Sequence, residues 1–220
     1  MKRFVFCTVF VLISIGITFG ADFKMSFGGG LLLEGYSGIG GKSETSTMGY
    51  TTTVKAINGQ MDNMGIFLFF DATYVELSLA YCSGGSETQV STITRDPVGD
   101  MVGGEVWLSS KPDHKAIEVC LLGKYPFTFG RFDVFPLLGI SYLFVFHVEE
   151  KGITADNPSD SSTLGFHGGV GTDFALTKSL FIRGEFLWSI RVPSQSERDA
   201  YDKVDMASGP RIKLGLGYYF

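Results

Sequence analysis

The 220-residue chain sets 18 Lys and Arg against 23 Asp and Glu, a formal net charge of −5, and only 19% of its residues are charged. That acidic balance argues against nucleic acid as a partner. Three cysteines are too few for a disulfide-built scaffold, and Gly and Pro scattered without helical periodicity point to an all-β protein of one-domain length.

The first twenty residues read as a cleaved signal peptide. Lys2 and Arg3 form the positive region, Phe4 to Phe19 the apolar core, and Thr18-Phe19-Gly20 a small-residue site before Ala21. Residues 21–220 are then the mature domain. Losing Lys2 and Arg3 takes the formal charge from −5 to −7 and leaves Cys82 and Cys120 as the mature cysteines. Mean hydropathy is +0.19, high for a soluble domain, yet past residue 20 no apolar run is long enough for a membrane helix.

Strand one is predicted from about Asp22 to Glu34, with Phe23, Met25, Phe27, Gly29, Leu31 and Leu33 on one face. Gly35 to Asp62 reads as a Gly/Ser/Thr-rich loop with a strand-like piece at Tyr50 to Ile57. Strand two runs from about Asn63 to Asp71 and strand three from Tyr74 to Cys82, joined by a very short link. Ser83 to Lys115 reads as a second loop, in which Met101 to Leu108 could be another strand. Strand four is Ala116 to Tyr125 and strand five about Val134 to Phe146, with a Phe-rich link between them. His147 to Leu164 is the third loop. Strand six, Gly165 to Ala175, and strand seven, Ser179 to Arg191, flank the tight link Leu176-Thr177-Lys178. Val192 to Pro210 is the fourth loop. The last strand, Arg211 to Phe220, puts Ile212, Leu214, Leu216, Tyr218 and Phe220 on one face, with Arg211, Lys213 and glycines on the other.

Two regularities follow. Connections alternate long and short, and every charged strand residue falls on one parity. Eight strands with four long and three short connections predict an antiparallel up-and-down transmembrane β-barrel with a polar lumen. A soluble barrel or sandwich would also segregate its faces. The charged parity, however, holds Phe67, Phe69, Leu122, Leu143 and many glycines, which suit a narrow lumen better than a wetted surface. Ten strands, counting Tyr50 to Ile57 and Met101 to Leu108, is the alternative count.

The leader, the closing strand Arg211 to Phe220 and the alternating loop lengths resemble the small eight-stranded outer-membrane barrels, namely the OmpA transmembrane domain, OmpX and OmpW. OmpW is favoured for its mixed apolar lumen. The resemblance implies a chain exported to the outer membrane, surrounded by lipid, with Tyr218 and Phe220 read by the barrel assembly machinery.

An eight-stranded barrel is just wide enough to be filled by side chains or to hold one small ligand. Layering the lumen residues by strand direction predicts a salt-bridged floor of Lys24, Asp71, Glu76, Lys124, Asp173 and Arg183, since buried charges need partners. Above it lies an apolar layer of Phe67, Phe69, Leu122, Leu143 and Val145. Glu34, Glu118, His167, Arg211 and Lys213 fall at the outer mouth. Two functions stay open: a narrow channel or pocket for a small hydrophobic solute, as OmpW-like barrels are thought to carry, or a closed barrel whose acidic loops meet an extracellular protein partner. A lipid-modifying enzyme built on His114 or His147 with Ser109, Ser110 or Asp113 is a minor alternative; no enzyme is expected and no catalytic residue is assigned. His114, His147 and His167 lack metal-type spacing, so neither metal nor cofactor is expected. Cys82 and Cys120 share the lumen parity and are expected as free thiols, a disulfide being the alternative. The glycines of Gly165 to Asp173 are expected to let side chains from facing walls meet.

Overall fold

The computed structural model describes residues 24–151, 153–154 and 158–220. The expected signal peptide at 1–20, the start of strand one at Asp22 and Phe23, and the acidic Asp156 of the third loop lie outside the described residues.

Eight long antiparallel strands close into a ring: β1 Met25–Thr47, β2 Tyr50–Ala72, β3 Val75–Arg95, β4 Asp113–Lys124, β5 Phe132–Glu150, β6 Thr163–Ala175, β7 Leu180–Arg191 and β8 Ala207–Tyr219. Each pairs with its chain neighbours, and β8 closes on β1. Following paired residues once round, from Phe27 through Phe70, Leu77, Leu121, Ile140, Phe166, Ile190 and Ser208, returns to β1 at Ser37, ten residues higher. A stagger of ten on eight strands tilts them by roughly 40° and leaves a lumen that side chains can fill.

The alternation decides which face turns out. Leu214, Leu216 and Tyr218 on β8, Ile66 and Leu68 on β2, and Leu138, Ile140 and Phe144 on β5 are all about half exposed or more. No hydrophobic core among the described residues takes this surface up. It is an apolar belt roughly 20 Å tall, close to the ~25 Å that a bilayer covers on a barrel. No helix among the described residues is long and apolar enough to cross a membrane; the strands do so instead. Three short connections lie at one end of the barrel, with Lys24 and Phe220; this is the lower end. The terminal Phe220 donates its backbone N–H to Met25 O (3.1 Å) and packs its ring against Phe27 and Phe70, sealing the β8–β1 seam on the lipid side.

At the upper end two expectations are corrected. The segment Gly35 to Asp62, read as loop, is strand: β1 and β2 run on as one hairpin and turn at Met48-Gly49, both with positive φ (54° and 83°). Such a two-residue turn twists with its strands. The segment from Ser83 continues β3 to Arg95, and Val106–Ser110 folds back to pair with Thr88–Thr92. Tyr50 to Ile57 therefore extends β2, and Val106–Ser110 caps an edge. Neither adds a membrane crossing, so the count is eight and not ten. The result is a three-stranded wall standing up to roughly 30 Å above the belt. Lys203–Val204 pairs with its β1 edge. Both edges are thus partly covered, which blunts strand addition. The third and fourth upper segments carry a 3-10 turn at Pro158–Ser161 and a short helix, α1, Gln195–Ala200, with Ser194 as its N-cap and Glu197 completing a capping box.

Candidate functional site

The inward side chains form two ionic layers separated by apolar packing. The lower layer centres on Arg183 of β7. Its Nε donates to Asp173 Oδ1 (2.7 Å), its Nη1 to Glu76 Oε2 (2.8 Å), and its Nη2 to Asp173 Oδ2 and Asp71 Oδ2 (2.6 Å each). Lys124 also pairs with Asp71. Lys213 Nζ reaches across the barrel from β8 to Glu76 Oε1 (2.9 Å) and sits 3.1 Å from Glu185 Oε2. Arg183, Glu76 and Lys213 have no solvent exposure. Charges so deep in the protein are tolerated because each has an opposite partner.

Three phenylalanines stack around the Arg183 guanidinium: Phe69 at 4.4 Å, Phe181 at 5.2 Å and Phe135 at 5.3 Å from ring centroid to Cζ. Each ring lies over an inward glycine. A Cβ on Gly28 would come within 2.5 Å of Phe69 Cζ, one on Gly171 within 2.2 Å of Phe135 Cε2, and one on Gly217 within 2.1 Å of Phe181 Cζ. The glycines make the room that lets three rings and one guanidinium share a narrow lumen. Gly171 belongs to the glycine run 165–173; the ring it accommodates comes from the adjacent strand β5, not from a facing wall.

The upper layer is a square of two arginines and two glutamates. Arg211 is 2.6 Å from Glu118 Oε2 and 3.2 Å from Glu34 Oε1; Arg191 is 2.8 Å from Glu34 Oε2 and 3.6 Å from Glu118 Oε1. Tyr36 donates its hydroxyl to Glu34 Oε1, and Asn63 Nδ2 donates to Glu34 Oε2 (3.1 Å). His114 Nε2 meets Asn63 Oδ1 at 2.7 Å. His167 bridges the Ser189 and Ser141 hydroxyls, 2.7 Å from each. The Tyr36 ring covers one face of the Arg191 guanidinium, 4.5 Å from Cζ.

These layers rearrange the expected groups. Asp71, Glu76, Lys124, Asp173 and Arg183 meet in the floor. Lys24 does not: it is exposed, with its Nζ 6.0 Å from the Tyr219 ring at the lower mouth. Lys213, expected at the outer mouth, belongs to the floor instead, and Glu185 joins it there. The floor therefore holds four acids (Asp71, Glu76, Asp173, Glu185) and three bases (Lys124, Arg183, Lys213). Glu34, Glu118, His167 and Arg211 lie together in the upper layer as grouped, with Arg191, Tyr36 and Asn63 added. The five apolar residues do not line one pocket. Phe67 and Phe69 pack with Leu32, Ala80, Cys82 and Phe181; Leu122 packs with Cys120, Phe135, Leu137 and Leu187; Leu143 and Val145 pack with Ala116. Tyr218 and Phe220 face outward, 46% and 61% exposed.

Cys82 and Cys120 are buried free thiols. His114 Nε2 meets Asn63 Oδ1, His147 Nε2 is 3.4 Å from Glu149 Oε2, and Ser110 Oγ donates to Glu150 Oε2 (2.9 Å). The parity of strand seven could have identified Arg191 and Glu185, since both sit on the Arg183 face. Tyr36 carried no such signal, because it lies in a stretch that reads as loop.

Above the upper layer lies an outward cavity of ≈ 410 Å³. Its walls are the strand extensions, through Met61, Ser86 and Val90, together with Thr163 and the fourth segment, through Tyr201 and Val204; Arg191 lies in its lining. A second cavity of ≈ 310 Å³ opens at the lower mouth, lined by Lys24, Asp71, Asp133 and Tyr219 among others.

No family model matches the sequence, and no curated protein matches it. Among solved structures, the chain is similar to the outer membrane protein OprG from Pseudomonas aeruginosa, at 15% identity and a TM-score of 0.44, covering 90% of this chain and 96% of that one. Outer Membrane Protein W of E. coli gives 13% identity and a TM-score of 0.36, with coverage of 87% and 98%. Ail of Yersinia pestis gives 10% and 0.32, with coverage of 90% and 99%. The first two are outer-membrane proteins by name, and at these identities and TM-scores the likeness carries no argument about this chain. By its own strand pairing, stagger of ten, apolar belt and charged interior, the chain has the architecture of the small eight-stranded transmembrane β-barrels.

Proposed function

We propose that this protein is an outer-membrane barrel with a sealed lumen that works at its upper face. In this reading residues 1–20 are a cleaved export signal, the closing strand with Tyr218 and Phe220 is read by the assembly machinery, and the upper end faces outside the cell. The wall of β1 to β3, together with the capped fourth segment that carries Glu197, Asp199, Asp202 and Asp205, then presents a surface to an extracellular protein partner. Rigid scaffolds that raise loops into solvent are common binding surfaces.

The observation that carries the sealed reading is the filled interior. Arg183, Lys213, Glu76, Arg211 and Glu118 are entirely buried and tie β1, β3, β4, β6, β7 and β8 together across the lumen. Opening a path for even a small solute would break several desolvated ion pairs at once, at several kcal/mol. A narrow channel for a small hydrophobic solute is the competing reading. Planar-bilayer recording of the refolded mature chain, with and without 1-hexanol, separates the two: a silent, heat-modifiable barrel is expected. Discrete openings that the solute blocks would overturn the sealed reading.

A further inference from the structure

We infer that the upper cavity is a binding site for a small amphipathic molecule with an apolar body and an anionic, acceptor-only head, received by Arg191. The inference rests on the sealed-barrel reading, which makes the cavity a closed-bottomed cup.

Arg191 lines the cavity and is 3% exposed; its Nε and Nη1, themselves closed off from solvent in this arrangement, find no acceptor among the described residues. Its Nη2 is held by Glu34, and one face of the guanidinium is covered by Tyr36. A buried donor without an acceptor is costly, and a guanidinium can only donate, so the complementary group must be an acceptor. The cavity above is large enough for a molecule of metabolite size. Its walls are mainly apolar or hydroxylated: Met61, Val90, Val204, Tyr201, Ser86 and Thr163.

The groups facing Arg191 from neighbouring elements are Glu34 and Tyr36 on β1, Glu118 and His114 on β4 and Arg211 on β8; Glu118 Oε1, 3.6 Å from Nη2, is beyond hydrogen-bond distance and also unpartnered. Two glutamates and two arginines cancel formally, so the layer does not repel an arriving carboxylate with a net charge of its own. Two carboxylates do line the cavity. Glu197 is engaged by the Ser194 backbone and hydroxyl at the start of α1, and Asp205 is exposed, where solvent screens it. An ammonium head, by contrast, would bring three more donors to a guanidinium already short of acceptors.

The test is calorimetric titration of the refolded mature chain in lipid nanodiscs, with empty nanodiscs as blank and hexanoate and hexylammonium as probes. Hexanoate is expected to bind at least about tenfold more tightly, the ratio that one charge-assisted hydrogen bond supplies. Ser86→Trp, which fills the cavity without touching the ion pairs, should abolish hexanoate binding. Arg191→Gln should reduce hexanoate affinity by about the same tenfold factor and erase the preference over hexylammonium. Should that variant fail to fold, the ratio in the unaltered protein and the Ser86→Trp result still decide. Equal or tighter hexylammonium binding, or hexanoate affinity unchanged by Ser86→Trp, overturns the inference. A conducting barrel would fail the sealed reading instead, and bilayer recording detects that separately.

Discussion

The two ionic layers of the lumen each pair arginine with carboxylates but leave that arginine in different states. In the lower one, every nitrogen of Arg183 donates to a carboxylate and three rings stack around it. What is left over there is acceptor: four acids face three bases, and Asp71 Oδ1 and both Glu185 oxygens receive no hydrogen bond. In the upper layer the count is even, two against two, and both kinds are left over: the donors Arg191 Nε and Nη1 and Arg211 Nε, and the acceptor Glu118 Oε1, 3.6 Å from Arg191 Nη2. A saturated arginine clamped by aromatics serves to hold the wall together. An unsaturated arginine beneath a cavity is poised to receive something. The comparison assigns structure to the floor and recognition to the cup above it.

The largest effect that would sharpen this contrast comes from deleting each arginine in turn. Arg183→Met leaves four carboxylates against two lysines, whereas Arg211→Met leaves two against one. Removing one partner of a buried ionic group costs about 3–5 kcal/mol. Urea unfolding of the refolded barrel should place Arg183→Met at or above the top of that range and Arg211→Met below it. Equal losses would break the distinction between a clamp and a receptor. A middle-sized effect is expected from Gly217→Ala, whose methyl group would meet the Phe181 ring stacked on Arg183. Overpacking of that kind costs about 1–3 kcal/mol, read in the same unfolding experiment. A loss indistinguishable from zero would mean the rings can retreat and the clamp is loose. The smallest effect belongs to the wall. Lys111 and Glu87 pair at 2.9 Å but are 65% and 49% exposed, so Glu87→Gln should shift stability by less than about 0.5 kcal/mol.

How much of this was legible beforehand differs by level. Strand existence, inward parity and strand count could be read because one face is lipid-exposed and uniformly apolar. Leu31, Leu68, Leu79 and Leu214 alternate with Gly30, Phe67, Ala80 and Lys213 on every strand that crosses the belt. Above the belt that signal vanishes. Apart from Ser91, Thr51 to Lys55 and Thr88 to Arg95 are partly or fully exposed on both faces, so neither face had to be apolar, and the stretch reads as loop although its backbone is paired.

The sequence by itself therefore determined which side chains point into the lumen, because the period of two belongs to a single strand and needs no partner. Only the tertiary structure decided which charges meet. Contacts across the lumen depend on the tilt and the ten-residue stagger, properties of the closed ring that no one strand carries. That is why Lys213, counted toward the outer mouth along β8, lands on Glu76 of β3 in the floor. Closure likewise left Arg191 with unused donors beneath a cavity whose walls come from residues far apart in the chain.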